Sequence, residues 1–199
     1  MPRVLVLFAH PRLEKSRTNQ ALLRRFPKHK DITFRDLYEA YPDFNVDIRR
    51  EQHLLNQHDV IVWQHPLYWY SAPPLLKQWI DLVLAFGWAY GPGGKVLTGK
   101  TVFQVLTTGG PAQSYTAEGY HGWTMEEFLR PLQRTVTLCH MHWLPPFVLH
   151  GTNQLGDAEL ERYAARYAEL LVAFAEGRAD HTHAKGMSTL NELMPLDRP

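Results

Sequence analysis

Uninterrupted apolar runs alternate along the chain with stretches whose apolar residues recur at helical spacing. Residues 4–9 and 60–63 carry no polar side chain, and 102–106 and 143–149 are similarly strand-like. Runs without polar alternation suit strands covered on both faces. Helical periodicity falls between them, over 18–26, 48–57, 74–86, 125–138 and 157–175, and residues 32–37 supply one more strand. Five strands with intervening helices predict an α/β fold, a doubly wound parallel sheet with right-handed crossovers and strand order 2-1-3-4-5.

No repeat, charge block or low-complexity segment breaks this pattern, so residues 1–176 form one expected domain. Residues 177–199 show little periodicity and read as a frayed tail or as an arm that orders against a partner chain. The chain of 199 residues carries 21 Lys and Arg against 20 Asp and Glu, a formal charge of +1. That balance gives no field for a phosphate backbone, and nucleic acid is not an expected partner. The lone cysteine, Cys139, permits no intramolecular disulfide. The apolar start is too short for a membrane span and lacks a cleavage pattern, so a cytoplasmic protein is expected. Aromatic residues reach 12%, with many Trp and Tyr in loops, which brings flat ligands into consideration.

Two short patterns are weaker than they look. Residues 94–101, GKVLTGKT, match G-x-x-x-x-G-K-[ST], but a phosphate loop needs a strand before it and a helix after it, and here the order is reversed. Cys139, His140 and His142 lie close together, yet strand alternation sends the cysteine to the opposite face from the two histidines. No metal site is expected.

The loops after strands one, three and four are richer. The first runs from His10 and ends in Ser16, Arg17, Thr18 and Asn19 at a helix start, where hydroxyls, a guanidinium and free amides suit a phosphate, although an ordinary helix cap needs only one of them. The third strand leads into Pro66, Leu67, Tyr68, Trp69 and Tyr70, an aromatic run between prolines that suits the wall of a flat ring or a dimer contact. The fourth ends in Thr107, Thr108, Gly109 and Gly110, and the glycines admit a ligand close to the backbone. In a 2-1-3-4-5 sheet these loops meet at the switch point between strands one and three. Phosphate chemistry on one loop and aromatics on the others fit a flavin. One phosphate cradle, with no second glycine-rich turn for an adenylate, favours FMN, with FAD the alternative.

YPDFNVDI at 41, WQHPLYWYSAPPLLKQWID at 63, WAYGPGG at 88, TTGG at 107 and HWLPPF at 142 resemble the flavodoxin-fold NAD(P)H:quinone reductases. They resemble more closely the Kef-type ancillary proteins, cytosolic subunits of bacterial glutathione-regulated potassium-efflux antiporters. The resemblance runs in order from residue 4 to residue 150. It implies a flavodoxin-like sheet and a flavin with its phosphate end on His10 and residues 16–19, its ring on residues 66–69 and 107–110. In the mammalian quinone reductase branch a Tyr and a His six residues later stabilise the reduced flavin, and SYTAEGYHG places Tyr115 and His121 on those positions.

The implied activity is two-electron hydride transfer from NADH or NADPH through the flavin to a quinone, with Trp69 and Trp123 excluding water. The competing expectation is a regulatory subunit of a membrane potassium-efflux antiporter in which the flavin is structural or sensory. A homodimer is expected, because Tyr68–Tyr70 and Tyr120–Trp123 would otherwise leave exposed apolar patches.

Overall fold

A computed structural model describes residues 1–179 and 181–193; Asp180 and the last six residues of the tail, 194–199, lie outside the described residues. The strands are β1 (Val4–Phe8), β2 (Ile32–Asp36), β3 (Val60–Pro66), β4 (Thr101–Thr107), β5 (His142–Trp143) and β6 (Phe147–Leu149). The helices are α1 (Arg17–Arg24), α2 (Leu37–Ala40), α3 (Ile48–Gln57), α4 (Pro74–Val83), α5 (Met125–Leu138), α6 (Asp157–Ala175) and α7 (His181–Lys185). All ladders are parallel, in the order β2-β1-β3-β4-β5, with β6 also on β4. The sequence pattern thus delivers the flavodoxin-like order it predicts.

The side-chain period of two divides the core. Leu5, Leu7, Ile61 and Trp63 face α4 and α5, meeting Leu76, Trp79, Leu129 and Val136, whereas Val4, Val6, Val60 and Val62 face α1 and α6, meeting Leu22, Leu160, Leu170 and Phe174. Every residue of β1 is buried, which accounts for its unbroken apolar run. Each large side chain removed from water contributes about 1.5–3 kcal/mol.

The predicted fifth strand divides in two. Pro145 and Pro146 have no N–H for the ladder, so β5 pairs with the start of β4 (Thr101, Val102) and β6 with its end (Val105 to Thr107). Helix α1 starts one residue earlier than expected because Ser16 caps it, accepting from Asn19 N at 3.2 Å. Helix α4 ends at Val83, short of residue 86. The GKVLTGKT segment lies in turns that lead into β4, with no helix after it, so it lacks the geometry of a phosphate loop.

One charged group sits at full burial. The Glu51 side chain is 0% exposed and is 2.9 Å from the Arg35 guanidinium. It accepts from Tyr41 Oη at 2.7 Å and from Trp79 Nε1 at 2.9 Å. This cluster ties β2, α3 and α4 together.

Past α6 the chain returns alongside β6. The Asn191 side chain accepts from Val148 N at 2.8 Å and donates to Val148 O at 3.0 Å, and Leu190 is fully buried. Among the described residues, no helix is long and apolar enough to cross a membrane.

Candidate functional site

The parallel register brings three strand ends to one edge. Phe8 lies level with Gln64, and Pro66 with Thr107, so the loops that follow open side by side. Between them is a cavity of about 700 Å³. Of the residues expected to hold a cofactor, His10, Ser16, Arg17, Thr18, Pro66, Leu67, Tyr68, Thr107 and Gly109 line it. Asn19, Trp69, Thr108 and Gly110 do not.

Helix α1 points its N-terminus at this space. Its first amides, those of Arg17 and Thr18, have no acceptor within the helix, which makes the site attractive to an anion. Arg12, Lys15 and Arg17 add positive charge to the wall. The Arg17 guanidinium donates to Asp157 at 2.9 Å and to the Leu155 carbonyl. The His10 imidazole accepts from Arg12 N at 3.1 Å, and burial lowers its pKa, although Glu14 and its own backbone oppose the shift. Asn19 acts as a brace: its Nδ2 donates to Ser16 Oγ at 3.0 Å and to Thr107 Oγ1 at 3.2 Å, joining loop one to strand four. Its Oδ1 is buried with no partner.

The second wall is a tight turn after β3. Leu67 N donates to Thr107 O at 2.9 Å, and Tyr68 and Ser71 exchange backbone bonds at 3.1 and 3.0 Å. The turn closes with Trp69 at φ 48° and Tyr70 at φ 62°, both left-handed. That conformation turns the Trp69 side chain out to 92% exposure, away from the cavity wall expected of it. Beneath the turn, His65 is fully buried and its pKa is pushed down to about 4 by desolvation. The ring stands between two acceptors, with Nδ1 2.9 Å from Pro66 O and Nε2 3.2 Å from Gln104 Oε1, and as a neutral imidazole it donates to one of them.

Thr108 supports the third wall from behind. Buried, it donates from Oγ1 to Gly110 O at 2.8 Å. Tyr115 and His121 converge beside Gly110, with ring centroids 4.7 Å apart, and a Cβ on that glycine would stand 3.4 Å from Tyr115 Oη and 3.5 Å from His121 Nε2. His121 Nδ1 is 3.3 Å from Tyr70 Oη. The pair therefore flanks the Gly109–Gly110 wall without lining the 700 Å³ cavity. Trp123 and Tyr120 are exposed, at 57% and 90%.

A fourth loop escaped the sequence reading. Gly151 N donates to Gly110 O at 2.8 Å and Thr152 N to Thr108 O at 3.0 Å, which places Thr152, Asn153 and Leu155 on the cavity wall. The signal was available: GTNQLG at 151–156 follows the last strand at the same sheet edge. Cys139 lies buried at the end of α5, its thiol pushed up to about 11 by burial, while His140 and His142 are exposed. Among the described residues, no group of three or more His, Cys, Asp and Glu could hold a metal ion.

The family model of the flavodoxin-like fold matches residues 2–171. The chain is 46% identical over 170 residues to the glutathione-regulated potassium-efflux system ancillary protein KefG of Yersinia enterocolitica, covering 85% of this chain and 92% of that protein. Among solved structures it is similar to general stress protein 14 of Treponema denticola in complex with FMN (TM-score 0.80, 37% identity, 89% of this chain and 100% of that one). It is also similar to an NADPH-quinone reductase from P. pentosaceus (TM-score 0.77, 30% identity, 85% and 97% of the two chains). With that match, the strand order and the three loops at the switch point, the chain belongs to the flavodoxin-like fold family, in the part of it that holds the KefG ancillary proteins and the flavodoxin-fold quinone reductases.

Proposed function

We propose that this protein is a cytoplasmic FMN-dependent NAD(P)H:quinone oxidoreductase. The observation that carries the proposal is the cavity of about 700 Å³ where the free amides of α1 meet the backbone walls of Pro66–Tyr68 and Thr107–Gly109. Its size suits a cofactor. One helix terminus serves one phosphate, which favours FMN over FAD, and the FMN complex of the Treponema denticola relative supports the same choice.

Bound there, FMN supplies hydride acceptance from NADH or NADPH and hydride donation to a quinone. The chain supplies the rest. Arg17 N, Thr18 N and the basic side chains of loop one hold the phosphate, and Asn19 keeps loop one at a fixed distance from Thr107. Tyr115 and His121 stand beside Gly110 as donors to an oxygen that gains negative charge. With one pocket serving both substrates, steady-state velocities at varied NAD(P)H and quinone give parallel lines in double-reciprocal plots; intersecting lines contradict the shared pocket.

A symmetric dimer belongs to the proposal. The groove between α4 and α5, lined by Tyr70, Ile80, Tyr90, Phe128, Leu132 and Leu138, adjoins the exposed Trp69, and a two-fold contact there covers both. Light scattering then gives twice the 23.1 kDa of one chain, and a monomeric mass with full reductase activity overturns the dimer. The names of the KefG relatives favour a second reading, an ancillary subunit that brings the protein to a membrane potassium-efflux antiporter.

A further inference from the structure

A second cavity, of about 510 Å³, lies on the other side of Tyr115, between α5, the Pro145–Pro146 bend and the returning C-terminal segment. Its apolar walls include Leu129, Trp143, Pro146 and Met187, and Tyr115 and His150 face it as well. The Met187 wall is built from chain beyond residue 171, where the family match ends. It is held firmly at its far end. Leu190 is fully buried and donates from its N–H to Pro146 O at 2.9 Å, Asn191 makes both bonds to Val148, and the Arg166 guanidinium donates to Asn191 O.

His150 gives this space its chemistry. The single hydroxyl hydrogen of Thr108 goes to Gly110 O, so Thr108 Oγ1 can only accept from His150 Nδ1, 3.1 Å away. Burial pushes the imidazole pKa down to about 4, so the ring is neutral and its remaining nitrogen, Nε2, is a bare acceptor. Among the described residues, the hydrogen bond found for this ring is the one through Nδ1. The cavity thus offers an acceptor fixed in its tautomer from behind, beside Tyr115, Trp143 and two prolines, while Thr124, Glu126, Gln133, Lys185, Ser188 and Thr189 supply further polar groups around the rest of its wall.

We infer that this cavity is a ligand site for a small planar phenol or hydroquinone, whose ring lies against Tyr115, Trp143 and Pro146 and whose hydroxyl donates to His150 Nε2. A quinone or an aryl ether presents acceptors alone and leaves Nε2 unpaired on desolvation, which costs roughly tenfold or more in affinity. A hydroquinone formed by the proposed reductase belongs to the favoured class, but binding here requires nothing of the flavin site.

Calorimetric titration of the full chain with 1-naphthol and with 1-methoxynaphthalene tests the inference. Wild-type protein is expected to bind the naphthol about tenfold more tightly than the ether. His150→Ala brings the two affinities to within about threefold of each other by weakening the naphthol. Met187→Trp fills the cavity and weakens both ligands at least tenfold, while flavin content and melting temperature report that the fold is kept. Equal wild-type affinities, or no naphthol binding up to its solubility, overturn the assignment without any variant having to fold. Unchanged naphthol binding in a folded Met187→Trp protein overturns it too, because the ligand then sits elsewhere.

Discussion

Replacing Glu51 with alanine is expected to lower the stability of the fold by about 3–5 kcal/mol, a large share of the 5–15 kcal/mol available to a domain of this kind. The carboxylate is the common acceptor for the Arg35 guanidinium, the Tyr41 hydroxyl and the Trp79 indole N–H, and its side chain has no exposure to water that could replace it. Alanine strands a guanidinium that is 15% exposed and leaves two buried donors unpaired. The pair itself need not be stabilising, since taking two charges out of water costs nearly as much as their attraction returns. An apolar double replacement, Arg35→Met with Glu51→Leu, therefore recovers much of the loss. Urea unfolding checks both statements through the midpoint at constant slope. A Glu51→Ala cost below about 1 kcal/mol contradicts the assignment of this cluster as a clamp.

The largest effect on chemistry is expected from Tyr115→Phe combined with His121→Ala. Both side chains lie against Gly110 at the edge of the main cavity and neither lines it, so the variant keeps its flavin while turnover falls by a factor of about 10²–10³, the usual cost of removing donors from a site of developing charge. Anaerobic reduction by NADPH followed at the flavin absorbance separates the two quantities. Unchanged turnover removes these residues from the mechanism. The same variant divides the two functional readings: potassium-efflux control retained in cells makes catalysis dispensable for an ancillary role, and control lost together with turnover joins the two.

Much of the fold was legible because its signals are local. The runs at 4–9 and 60–63 carry no polar residue, as suits a strand covered on both faces, and β1 and β3 are buried along their whole length. The division of the fifth strand was legible too, in Pro145 and Pro146, but a run of apolar residues outweighed the missing N–H groups. The cavity followed from topology, since strand order decides which loops meet.

What sequence could not reveal is where each side chain turns. Trp69 reads as a ring wall, yet the left-handed backbone at Trp69 and Tyr70 sends its indole into solvent. Asn19 and Thr108 read as ligand contacts, and the structure shows both as buried braces, one joining loop one to Thr107 and the other holding the Gly110 carbonyl. The loop of Gly151 to Leu155 carries no motif, and only its backbone bonds to Thr108 and Gly110 bring it to the site. Glu51 looks like an ordinary surface glutamate of an amphipathic helix until Arg35, Tyr41 and Trp79, from three other elements, close around it.

The space between α1 and the loops after β3 and β4 is expected to hold FMN. Purified protein, denatured and chromatographed against flavin standards, tests it most directly. The expected result is a yellow protein that releases FMN in near-stoichiometric amount, or a colourless one that takes up FMN and becomes yellow. A protein that carries no flavin and cannot be reconstituted with FMN or FAD contradicts the account.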